Sequence, residues 1–65
     1  MKYFEVTVLA SKTYTIQAEN EEDAFDVACG NFGEEFVEMS ADELETQEEI
    51  ERSKRHADGV FEVQG

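Results

Sequence analysis

Between Thr13 and Glu51 this chain has no lysine or arginine, while 14 of its 17 acidic residues lie between Glu19 and Glu51. Three of the five basic residues, Arg52, Lys54 and Arg55, follow directly after that run. The formal charge of -12 on 65 residues repels itself and works against any compact state. A chain this short makes one domain, residues 1–65, and buries only about 60% of its unfolded surface. The core is therefore small. A hydrophobic content of 40%, with five Phe and two Tyr in patterned segments, is enough to build one. That patterning argues against disorder of the whole chain. Order without a partner is least assured over 43–58.

Cys29 is the only cysteine, so no disulfide framework forms and nothing points to an oxidising compartment. No apolar run exceeds three residues, which excludes a signal-peptide core and a membrane-spanning helix. The expectation is a cytoplasmic protein with no cofactor and no bound metal.

Lys2 to Leu9 reads as a strand, with Phe4, Val6 and Val8 on one face and Tyr3, Glu5, Thr7 and Leu9 on the other. Lys12 to Ala18 reads as a second, with Tyr14, Ile16 and Ala18 opposite Thr13, Thr15 and Gln17. The short Ala10-Ser11 connection predicts an antiparallel hairpin. Asn20 reads as a helix N-cap, followed by Glu21, Glu22 and Asp23 where the helix dipole favours acids. Ala24, Val27, Ala28 and Phe32 fall at helical spacing, and Gly30 and Gly33 bracket the helix end. Glu35 to Met39 reads as a third strand anchored by Phe36 and Val37. Ser40 and Glu43 form a capping-box pattern that predicts a second helix reaching His56. Leu44 and Ile50 are its only large apolar residues, so little of it has a reason to be buried. Glu48 with Arg52, and Glu51 with Arg55, are oriented to pair at i,i+4. Asp58-Gly59 turns the chain into a last strand, Val60 to Val63. The fold class expected is α+β: an antiparallel sheet of three or four strands in the order β-β-α-β-α-β, with one packed helix and one more exposed acidic helix.

The stretch FEVTVLASKTYTIQA followed by ENEEDAFDVA resembles small mobile-element proteins of the DpnD/PcfM type. EFVEMSADEL and GVFEV can be laid on the later strands of that pattern, and residues 45–58 then look like an insertion. The resemblance implies a small ββαβ-type domain and a phage or plasmid setting. It brings no catalytic residues with it.

The residues themselves offer little chemistry. Acid–base catalysis would need a carboxyl in an apolar pocket with a shifted pKa, whereas these acids fall on strand edges, helix starts and a polar helix. No stretch has the oxygen spacing of a calcium loop. One His and one Cys do not make a zinc site. His56 reads as a helix-end residue, and Cys29 as a small buried hydrophobe whose thiol pKa acidic neighbours would raise. Arg52-Ser53-Lys54-Arg55 reads as a helix C-terminus with internal pairing.

That leaves the acidic field. Carboxylates on a helix recur every ~5–6 Å, and duplex DNA presents roughly one charge per 1.7 Å of axis. Glu34, Glu35, Glu38, Asp42, Glu43, Glu45, Glu48, Glu49 and Glu51 are the candidates for imitating a phosphate row. Glu19, Glu21, Glu22, Asp23 and Asp26 form a second patch. Tyr3 and Phe36 are candidate specificity contacts. In size and charge the chain looks most like anti-CRISPR and anti-restriction proteins. The expectation is a non-enzymatic inhibitor from a phage or mobile element that acts in the host cytoplasm as a DNA mimic. Its partner would be the basic DNA-binding surface of a CRISPR effector or restriction enzyme. It would touch neither nucleic acid nor membrane, and would be a monomer or weak homodimer. The alternative is a small adaptor that docks on a basic protein without mimicking DNA.

Overall fold

The computed structural model describes residues 1–8, 12–35 and 38–63. The elements run β1 (Lys2–Val8), β2 (Lys12–Ala18), α1 (Glu21–Phe32), β3 (Met39–Leu44), α2 (Gln47–His56) and β4 (Gly59–Phe61). They form one α+β domain around a four-stranded sheet of order β3-β1-β2-β4. β1 pairs antiparallel with both β2 and β3, in registers that set Phe4 opposite Ile16 and Glu5 opposite Asp42.

The alternation in β1 and β2 decides which side chains are buried together. Phe4, Val6, Val8, Tyr14, Ile16 and Ala18 are all buried on one face, beneath Ala24 and Ala28 of α1. The small residues Ala24 and Ala28 let the helix approach closely, and Phe25, Val27 and Phe32 seal its flanks. α1 starts where expected: Asn20 Oδ1 accepts the Asp23 backbone N–H at 2.8 Å, one of the donors a helix start leaves unpaired. It ends at Gly33, whose φ of 71° is left-handed and suits glycine. The Phe32 ring then stacks on Tyr14, with centroids 4.3 Å apart. Gly59 lies under both rings, and a Cβ there would come within 2.6 Å of Phe32 Cε1.

The second half of the chain departs from the expectation in the place of its third strand, in the start of its second helix and in the direction of its last strand, expected to be antiparallel. The third strand is Met39–Leu44 instead of Glu35 to Met39, so Ser40 and Glu43 lie in a strand and cap no helix. The anchors assigned to it, Phe36 and Val37, lie outside the described residues, as do Leu9 and the Ala10-Ser11 connection. α2 begins six residues beyond Ala41, at Gln47, behind Thr46 as its N-cap, with Glu49 reaching back one residue past the cap. Thr46 Oγ1 accepts the Glu49 N–H at 3.1 Å, while the Glu49 carboxylate accepts the Glu45 N–H at 3.0 Å.

The sheet is mixed, because β4 runs parallel to β2. Each strand–helix–strand unit returns the chain to the same direction, so β2, β3 and β4 all run the same way. Only β1 opposes them, and it is not paired with β4. The reciprocal bonds Thr13 N–H to Asp58 Oδ2 (2.9 Å) and Asp58 N–H to Thr13 O (2.7 Å) start the β2–β4 pairing.

α2 packs on the opposite face of the sheet from α1. The first crossover carries the chain from β2 past β1, and the second carries it back across both. Two crossovers of the same hand in opposite directions must use opposite faces. α2 buries Ile50 and Ser53, so it is less free than its sparse apolar residues suggest. Ser53 and Thr15, both fully buried, share a hydrogen bond of 2.7 Å.

Candidate protein-docking surface

The acids divide into those used inside the molecule and those left free. Glu34 is half-buried and accepts hydrogen bonds from the Tyr14 hydroxyl and from Lys12 Nζ at 3.2 Å. These bonds hold its carboxyl below the usual carboxylate range and push the Tyr14 phenol up to about 12. A matching cluster sits on the other face. The Tyr3 hydroxyl donates to Glu62 at 2.6 Å, Lys54 Nζ lies 3.1 Å from the same carboxylate, and Lys54 sits 5.0 Å above the Tyr3 ring. The Tyr3 bond, then Lys54, keeps Glu62 low; Glu62 in turn raises both partners. Tyr3 is thus engaged internally, and Phe36 lies outside the described residues.

The nine candidates from Glu34 to Glu51 do not form one row. Asp42 and Glu43 are neighbours on β3 and point to opposite faces, since they oppose Glu5 and Phe4 respectively. Glu43 pairs with Lys2 at 3.5 Å, and Glu48 with Arg52 at 3.2 Å. Among the described residues Glu51 and Arg55 take part in no ion pair. At 100° per residue, the side of α2 turned away from Ile50 and Ser53 carries Glu48, Arg52, Arg55 and Glu51, so both signs alternate there. Glu35 and Glu38, before β3, and Glu45 and Glu49, after it, are all exposed and flank opposite ends of that strand. On the edge strand β3, Asp42 and Glu43 also discourage pairing with another sheet.

The second patch is different. Glu19, Glu21, Glu22, Asp23 and Asp26 are all exposed, and none takes part in an ion pair among the described residues. Opposite the buried Ala24 and Ala28, α1 turns Glu22, Asp26 and Asp23 outwards with no cation among them. Four of the five basic side chains are held by acids elsewhere, namely Lys2, Lys12, Arg52 and Lys54.

Beside this patch lies a feature absent from the expectations. A cleft of about 440 Å³ is lined by Met1, Ala18, Val27, Phe61 and Val63, with Glu19, Asp23 and Asp26 at its walls. Its residues come from four separate stretches of chain. The one local signal is that Val63 falls on the apolar alternation of the last strand without a core to enter.

Cys29 is half-buried on α1, and burial, then Asp26 and Glu34, push its thiol up. It therefore lacks the thiolate character of a nucleophile. His56 ends α2, with Nε2 3.7 Å from Glu5 Oε1. Among the described residues no cluster of three or more His, Cys, Asp or Glu is arranged to hold a metal ion, and no helix is long and apolar enough to cross a membrane. No protein family matches this chain, and neither a curated protein nor a solved structure shows significant similarity to it.

Proposed function

We propose that this protein is a non-enzymatic inhibitor that binds the Lys/Arg-lined nucleic-acid groove of a partner complex as a DNA mimic. The observation that carries this reading is the exposed acidic surface of Glu19, Glu21, Glu22, Asp23 and Asp26, none of which takes part in an ion pair among the described residues. A field of one sign steers a basic partner from a distance and speeds encounter. A CRISPR effector is the favoured target over a restriction enzyme, because it holds a duplex in a positively charged channel. A phage or mobile-element origin fits such a target. The second reading, an adaptor on a basic protein, is favoured by the apolar cleft, which no phosphate mimic requires.

The test is a pull-down against CRISPR effector complexes and restriction enzymes at low and high salt, with duplex DNA as competitor. Mimicry predicts binding that salt weakens steeply and that DNA displaces. The double variant Glu22→Lys/Asp26→Lys should abolish binding while leaving the fold intact. Reversal of Glu45, Glu48 and Glu49 to lysine should weaken it less, because Glu48 is already paired. Binding that DNA does not displace would overturn mimicry in favour of the adaptor.

A further inference from the structure

The cleft opens where β1 begins and β2 and β4 end, alongside the first half of α1. Ala18 is buried in its floor, and Val27 and Phe61 are half-buried walls. Met1 and Val63 at its mouth are 66% and 43% exposed, two of the three large hydrophobics exposed among the described residues. The rim is held in place: the Val63 N–H donates to Gln17 Oε1 at 2.9 Å, and the capped start of α1 holds Asp23. The volume lies within the range of ligand pockets, about 300–1,000 Å³.

Apolar walls and acidic walls ask for different parts of one ligand. A phosphate row would leave the apolar surface wet, and a second copy of this chain would bring another charge of -12 to an acidic rim. We propose that the cleft docks a short basic segment of a partner protein. One large aliphatic or aromatic side chain enters between Val27, Phe61 and Val63, and flanking Lys or Arg side chains meet Glu19, Asp23 and Asp26. This rests on the reading of a basic partner and names the contact that gives it specificity. Charge alone attracts any basic surface, whereas a desolvated apolar anchor selects one.

The probes are two peptides, acetyl-Lys-Lys-Arg-Leu-Lys-Lys-amide and its counterpart with Gly in place of Leu. Each is titrated into the isotope-labelled full chain at low salt and followed by amide NMR. The Leu peptide should shift Ala18, Val27 and Phe61 and bind about tenfold tighter than the Gly peptide. Val63→Asn, at an exposed position, should cut that preference about threefold with the spectrum otherwise unchanged. Equal affinities, with shifts spread over the acidic surface, would overturn the cleft and leave the basic-partner reading standing. A Leu preference that Val63→Asn does not touch would place the anchor elsewhere and likewise overturn the cleft. Failure of both peptides to bind would overturn both readings. Cleft shifts that appear on concentrating the protein alone would make a second copy the occupant.

Discussion

The two faces of the sheet are drawn from alternate residues of the same strands, yet different forces hold them. On the α1 face Phe4, Val6, Val8, Tyr14, Ile16 and Ala18 form a continuous apolar core. On the α2 face Tyr3, Glu5, Thr7, Thr13, Thr15 and Gln17 are mostly polar. There α2 is positioned by the Thr15–Ser53 bond, the His56–Glu5 contact and the Lys54–Glu62–Tyr3 cluster, with Ile50 as its one large buried side chain. Apolar contact is non-directional and scales with buried area. Hydrogen bonds add little net stability but penalise a wrong position heavily. The α1 face supplies cohesion, and the α2 face supplies register.

The largest test of that contrast is truncation. Ile16→Ala, in the closed core, should destabilise by about 2–5 kcal/mol, read from urea denaturation. Ile50→Ala should be clearly milder, because the polar layer around it encloses less of a cavity. Equal losses would mean that α2 covers a second core and that the two faces are alike.

A double-mutant cycle sharpens the comparison. Ser53→Ala leaves the Thr15 hydroxyl buried without a partner and should destabilise by about 1–3 kcal/mol. Combining it with Thr15→Val removes both hydroxyls and should restore most of the loss. Additive losses would show that packing, and not the bond, holds α2 in place.

The smallest effect is read by pH. The folded pKa of Glu34 is lowered, so its contribution is present above the ordinary carboxylate pKa of about 4.3 and is lost as pH falls through the lowered value. The Tyr14 pKa is raised from 10.0 to about 12. Its contribution is present below 10.0 and is lost as pH rises through about 12. Glu34→Gln should flatten the acid limb of stability and bring Tyr14 back towards ordinary titration, followed by tyrosinate absorbance. Unchanged Tyr14 titration in that variant would separate the phenol from Glu34.

Legibility followed the same division between local and distant causes. β2 and α1 have the limits that alternation, the Asn20 cap and Gly33 imply. The expected start of the second helix at Ser40 fails because Ser40-Ala41-Asp42-Glu43 has the same spacing as Thr46-Gln47-Glu48-Glu49, which the structure uses, and spacing alone does not choose between them. A cap contributes only ~1 kcal/mol. The outcome was decided by β1, which offered 39–44 a complete ladder of partners from Tyr3 to Val8. The acidic surface of α1 was readable because its four acids lie within six residues, from Glu21 to Asp26, on one helix. The cleft was not, because its walls are brought together from both ends of the chain.

By itself, then, the sequence determined the hairpin, the first helix with both its ends, and an acidic surface that cannot be neutralised from within, since only five cations face 17 acids. Tertiary structure alone decided the place of β3, the start of α2, the parallel β4, the opposite faces of the two helices and the cleft between distant segments. Periodicity and caps act over a few residues and are written locally. Strand pairing and crossover direction depend on which distant backbone supplies the partner, and that is settled only when the chain closes on itself.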